Sequence, residues 1–223
     1  MVLFSQEIYK LISTALTELS DSQASGRTPH NPLSEAHYLG AWVTTAMKQK
    51  RFDSIVVPTL QGWQRQARSL GKNAGLKAQF IYLQRCYSQV LDAQKNVQSV
   101  NKAQLDSLYK LLEDQQWMVT LDREVGERLN RHSGGLESLI VCAQQIQDCF
   151  DEAGELILPI SLYLRGNQQH LVDLAFAQNL LLYKKTDYKS KVKYHGEFVV
   201  YPNNDGTHLP EFPIDKSASE EQH

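Results

Sequence analysis

The chain has 223 residues with 23 basic and 25 acidic side chains, a formal charge of -2, and ordinary hydrophobic and charged fractions. That length allows one large domain or two modest ones, and the charge balance excludes a solvated, disordered chain and wholesale coating of nucleic acid. No stretch approaches the roughly 20 apolar residues that cross a bilayer, and the opening MVLFSQEIYKLISTAL lacks the basic lead of an export signal, so a cytoplasmic protein with no membrane partner is expected.

Leu3, Ile8, Leu11, Ile12, Ala15, Leu16 and Leu19 recur at three and four residues and predict a first helix that stops in Asp21 to Gly26, ahead of Pro29 and Pro32. Ser34 is the expected cap of a second helix, with Leu39, Trp42, Val43, Ala46 and Met47 inside. Lys48, Lys50 and Arg51 close its last turn, where cations complement the helix dipole. A third helix begins between Asp53 and Pro58 and runs through Leu60, Trp63, Ala67 and Leu70 to Gly71. A fourth runs from about Leu76 to Leu91 through Phe80, Leu83, Tyr87 and Val90. Asn101 with Gln104 reads as a capping box for a fifth, carried by Leu105, Leu108, Leu111 and Leu112. Five helices with short connections predict a bundle over residues 1–116.

After Trp117 the period changes. Met118 to Leu121 and Leu139 to Ala143 are short strand candidates, and Leu156 to Arg165 is the clearest, with Leu158, Ile160, Leu162 and Leu164 alternating onto one face. Gly166-Asn167 turns into a helix through Leu171, Leu174 and Ala175 that Asn179 ends, and Leu180 to Tyr183 returns as a strand. Such a crossover is right-handed if its strands are parallel. Gly196 to Tyr201 is a further strand, closed by Pro202 and the turn Asn203 to Gly206. The expected class is therefore α+β: a helical bundle over 1–116, a mixed α+β sheet region over 117–213, and a polar, disordered tail over 214–223.

No catalytic residue is legible. The histidines form no HExxH and the cysteines no CxxC, so neither a metal nor another cofactor is expected. Cys142 and Cys149 lack the partner spacing of a zinc site, and with Cys86 they read as free thiols in a reducing compartment. There is no GxSxG elbow, and Gly71-Lys72 and Gly134-Gly135 are isolated from any phosphate-loop pattern.

The small total charge conceals an uneven spread. Residues 1–116 hold 13 basic and 9 acidic side chains, and the remainder 10 and 16. Between Met47 and Lys77 only Asp53 opposes seven cations. Arg65, Arg68 and Lys72, at three- and four-residue spacing, form a candidate phosphate-contacting face, beside which Gln64, Gln66 and Asn73 could read base edges. The plainer reading is a solvated helix face, because the following helix carries Phe80, Ile81, Tyr82 and Leu83 and looks like core where a recognition helix should be polar. The second basic stretch, Lys184 to His195, interleaves lysines with tyrosines. Lys189, Lys191 and Lys193 suit a single-strand or RNA surface, but alternating lysines also protect an exposed sheet edge, and that reading leads.

A set of strings recurs in order along the chain: His37-Tyr38-Leu39 with Trp42-Val43-Thr44; Lys48 with Arg51-Phe52; Trp63 with Arg68-Ser69-Leu70-Gly71 and Ala74-Gly75-Leu76; Cys142-Ala143 and Cys149-Phe150-Asp151; and Arg165-Gly166-Asn167. Thr186-Asp187-Tyr188-Lys189-Ser190 and Val192-Lys193-Tyr194-His195-Gly196-Glu197 complete it. Together they resemble an uncharacterised bacterial family catalogued as a domain of unknown function, the one numbered 2913, up to about Pro213. The resemblance implies a bacterial cytoplasmic protein and marks Tyr188 to Glu197 as a first place to look for a site. It carries over no activity, cofactor or catalytic residue. Three readings follow: a binding or regulatory protein that meets DNA or RNA through a basic surface; a module that docks another protein; or an enzyme with a pocket of Arg165, Tyr188, His195 and Glu197.

Overall fold

The structure, a computed structural model, describes residues 2–125, 134–186 and 196–214. The chain divides into two compact units, residues 1–97 and 98–223.

The first unit holds α1 (Phe4–Ala24), α2 (Pro32–Lys48), α3 (Val57–Leu70) and α4 (Leu76–Val90), with α1 packed on α4 and α2 on α3. Ile8, Leu11, Ile12, Ala15 and Leu19 of the predicted stripe of α1 are buried, joined by Phe4, while Leu3 and Leu16 are half-buried; α1 packs on α4, whose Leu76, Phe80, Leu83, Tyr87 and Val90 are buried, and Leu39, Trp42, Val43, Ala46, Leu60 and Trp63 are buried from α2 and α3. Each such large side chain is worth about 1.5–3 kcal/mol when fully buried, against a few tenths for the poorer helix formers Ser and Thr in α1, so packing decides the helix.

Two boundaries differ from the sequence reading. α1 continues through Asp21 to Ala24, because Ser22 accepts from the Arg27 N–H (3.0 Å) and its hydroxyl pairs with Thr28 at 2.7 Å, both side chains buried. The cap of α2 is Asn31, whose Oδ1 accepts from the Ser34 N–H at 2.9 Å, so Ser34 is the capped residue and Pro32 takes a first-turn position. α1 and α2 close on left-handed residues, Gly26 (φ 73°) and Lys50 (φ 50°), each followed by a backbone bond back across the last turn.

The second unit begins with α5 (Lys102–Asp114), which carries the full Asn101–Gln104 capping box. Although the sequence groups α5 with the bundle, it lies in the second unit and gives Leu105, Leu108, Tyr109 and Leu112 to the core of the sheet. The strands are β1 (Met118–Arg123), β2 (Ser138–Cys142), β3 (Ile160–Arg165), β4 (Tyr183–Thr186) and β5 (Gly196–Val200), in the order β1-β2-β3-β5-β4. β1 and β2 are parallel and the other pairs antiparallel. A short helix α6 (Ala143–Asp148) follows β2, and α7 (Gln168–Ala177) links β3 to β4. Because β5 runs antiparallel to both, β3 and β4 are parallel across it. One sheet face packs Leu139, Val141, Ile160, Leu162, Leu164, Phe198 and Val200 against α5 and against Leu171, Val172 and Ala175 of α7. The fold is α+β.

β3 starts four residues later than its alternation suggests. The Leu156 N–H is taken by Val100 O (2.7 Å) and that of Ile157 by Cys149 O (2.8 Å), Pro159 has no N–H, and Leu158 is left 51% exposed. β4 is also displaced: Leu180 to Leu182 form a buried lead-in, with the Leu181 N–H bonded to Asn204 Oδ1 at 2.8 Å, and pairing begins at Tyr183.

Candidate functional site

α3 is amphipathic by its own pattern. Leu60 and Trp63 are buried, with the Trp63 and Phe80 rings 4.6 Å apart, while Arg65 and Arg68 stand exposed on the other side. Gly71 (φ 52°) ends the helix and turns the chain into a 3-10 segment, Gly71–Ala74, that carries exposed Lys72. None of the three cations has a hydrogen bond or ion pair among the described residues. Three other cations of this unit are answered by carboxylates: Lys77 by Glu35 at 2.7 Å, Lys10 by Glu7 at 3.4 Å, and Arg51 by Glu18. Arg51 holds the Glu18 carboxyl below its ordinary value. Burial pushes the Glu35 carboxyl up, but hydrogen bonds from Lys77 and Gln23 outweigh it and bring it below. Lys48 and Lys50, at the end of α2, are also unpaired among the described residues, where the terminal carbonyls of α2 give them a partner field. The first unit carries 11 basic and 6 acidic side chains, so its field is positive.

The glutamines beside the cations do not face outward. Gln64 Nε2 donates to Thr44 Oγ1 at 3.1 Å, and Gln66 Nε2 donates to Ala74 O at 2.6 Å and Gln79 Oε1 at 3.3 Å. They stitch α3 to α2 and to α4, which removes them as base-edge readers; Asn73 stays exposed. Phe80 and Leu83 of α4 are buried as expected. Between α2 and α3 lies a groove of about 420 Å³ lined by Ala36, His37, Gly40, Ala41, Ala67, Arg68 and Gly71. Small residues a turn apart on each helix make it, and nothing in a single sequence distinguishes such a stripe from ordinary close packing.

In the second unit, β4 is an edge strand. Its Lys185 is 61% exposed and donates to the buried Glu197 at 3.1 Å. Lys189, Lys191 and Lys193 lie outside the described residues, as do Tyr188 and His195. Of the four residues expected to share a pocket, Arg165 and Glu197 can therefore be placed. They share the sheet face opposite the core, since Glu197 is opposite Tyr163 and Arg165 is two residues farther along β3. Arg165 is exposed and unpaired among the described residues, whereas Glu197 also accepts from Ser161 Oγ at 3.2 Å. Burial, then the neighbouring Glu197 charge, pushes the Tyr163 phenol up. The carboxylate is thus satisfied by an ammonium and a hydroxyl, an arrangement that ties the edge strand to β5.

Cys149 is buried, donates to Pro159 O at 3.6 Å, and has its thiol pushed up by burial and then by Asp148, which disfavours the thiolate. Half-buried Cys142 donates to Glu124 Oε2 at 3.3 Å. Among the described residues no group of three His, Cys, Asp or Glu side chains could hold a metal ion, and no helix is long and apolar enough to cross a membrane.

A family model described as "Protein of unknown function (DUF2913)" matches residues 3–213. No curated protein and no solved structure matches the chain.

Proposed function

The chain belongs to the DUF2913 family, which supplies no activity, and we propose that it is a binding protein that takes the phosphate backbone of a nucleic acid on the α3 face. The observation that carries this is the contrast within one unit: Lys10, Arg51 and Lys77 are neutralised by carboxylates, while Arg65 and Arg68 on the exposed side of α3 and Lys72 in its following turn have none among the described residues. A cation row without internal partners presents its charge to solvent, and condensed counterions on a polyanion are released when such a row replaces them. Because Gln64 and Gln66 are engaged internally, the contacts position a strand and do not read its sequence. The reading includes the bacterial cytoplasmic setting that the family resemblance implies.

The test is binding of the purified chain to labelled DNA and RNA across a salt series. Three phosphate contacts give a log–log slope of about -2 to -3, so affinity falls roughly 20- to 60-fold between about 50 and 200 mM salt. Binding that ignores salt, or none at the low-salt end, rejects the reading and turns attention to a protein partner.

A further inference from the structure

We infer that the bound strand is single, and that the groove between α2 and α3 receives one of its unstacked bases; this rests on the phosphate-binding reading above. The groove, about 420 Å³, falls in the range of about 300–1,000 Å³ typical of small-molecule sites, a volume that suits one nucleobase and its sugar. Its floor is Gly40, Ala41, Ala67 and Gly71, none with a side chain longer than a methyl, so a flat ring can lie close to both helix backbones. The helices meet at that floor: a Cβ at Gly40 would stand 3.2 Å from that of Ala67. Its walls carry His37 and Arg68, exposed planar groups without a partner among the described residues, which are the chemistry that stacks on a base or bonds its edge.

Arg68 links the two sites. It lines the groove and is the middle member of the Arg65, Arg68 and Lys72 row, so a strand whose phosphates follow the row passes the mouth of the groove. The amides of Gln64 and Gln66 are committed inward, so these two side chains do not reach the edges of stacked bases.

The test compares a labelled mixed-sequence oligonucleotide of about 20 nucleotides as single-stranded DNA, as single-stranded RNA and as annealed DNA duplex, at one low salt concentration. One captured base should make the single strands bind about tenfold or more tighter than the duplex. Ala41→Leu fills the floor from an exposed helix position, and His37→Ala removes a wall without filling it; thermal melts confirm that both fold. Each should pull single-strand affinity down towards the duplex value and leave the duplex unchanged. Equal, salt-sensitive binding of single strand and duplex overturns the groove inference and leaves the phosphate reading standing. A single-strand preference that survives both variants also overturns it. Absence of binding to any probe fails both.

Discussion

The indole N–H of Trp42 donates to Glu18 Oε2 at 2.6 Å, joining a core side chain of α2 to a carboxylate of α1. Arg51, just past the end of α2, closes on the same carboxylate, with Nη1 3.2 Å from Oε2, and its guanidinium lies 5.3 Å over the Trp42 ring. One carboxylate thus ties down an aromatic N–H and a cation, and the chain between α2 and α3 is fixed at its start.

That arrangement makes part of the first unit's stability pH-dependent. Arg51 first, and the Trp42 N–H, hold the Glu18 carboxyl below its ordinary value. A depressed folded value gives stability that is present above the unfolded value, about pH 4.3, and is lost as pH falls through the lower folded value. Glu18 is 36% exposed, so screening limits the effect to about 1 kcal/mol. Thermal melts between about pH 5 and 3 should therefore show a steeper decline for the wild type than for Glu18→Gln. Parallel curves would remove the ion pair as a source of acid sensitivity.

Trp63 is 3% exposed and packs its ring 4.6 Å from that of Phe80, and Trp42 is 6% exposed. Truncation of either to alanine leaves a cavity that helices cannot fully close, at a cost of about 3–5 kcal/mol by urea unfolding. A loss below about 1 kcal/mol would mean that the face carrying that ring is solvated.

Helix ends in this chain tolerate strained residues. Gln116 (φ 66°), exposed, occupies the left-handed position after α5, where a bond from the Trp117 N–H to Leu112 O at 3.0 Å closes the last turn. A non-glycine residue there costs about 1–2 kcal/mol in backbone energy, offset in part by the entropy glycine adds to the unfolded chain. Gln116→Gly should raise stability by roughly 0.5–1 kcal/mol in chemical denaturation. A decrease would show that the Gln116 side chain contributes more than its backbone costs.

The helices were legible because each buries one stripe, and a stripe at the helical period survives in sequence whatever covers it. What covers it was not legible: Leu105, Leu108 and Leu112 mark a buried face of α5 but cannot say that β2, β3 and β5 lie beneath it. Alternation ran too far at Leu158 because hydrophobicity does not report where backbone N–H groups go, and those of Leu156 and Ile157 go to Val100 and Cys149. α6 escaped because it is six residues long and buries none of them. The insertion of β5 between β3 and β4 is a non-local pairing, invisible to any window of sequence. At the candidate site, spacing placed Arg65 and Arg68 on the outer side of α3, but the inward commitment of Gln64 and Gln66 depends on Thr44, Ala74 and Gln79, which only the fold brings near.

Asn204 shows how much a turn residue can hold. It is 4% exposed at φ 52°, accepts from the Leu181 N–H at 2.8 Å and donates to Asn179 O at 2.7 Å, while its own carbonyl accepts from the Tyr183 hydroxyl at 2.8 Å. Alanine would strand a buried N–H and sit poorly in the left-handed region, a loss of about 2–4 kcal/mol from those two terms together. Asparagine is thus both the conformational and the hydrogen-bonding choice for this position. Urea unfolding of Asn204→Ala checks it, and a cost under about 1 kcal/mol would mean that another group takes over the Leu181 N–H.

The cation row makes the last prediction, and it separates function from fold. Arg65, Arg68 and Lys72 are exposed and have no partners among the described residues, so replacing all three with glutamine should leave the melting behaviour within about 0.5 kcal/mol of the wild type. If they contact phosphate, the same variant loses the counterions those contacts release. Its plot of log affinity against log salt becomes shallower by about 0.9 for each contact removed, whatever the oligonucleotide sequence. The slope matters more than the affinity at one salt concentration, because a general loss of positive charge weakens low-salt binding through the long-range field alone. An unchanged slope with intact folding would take the α3 face out of the binding site and shift the search to the basic stretch between Lys184 and His195.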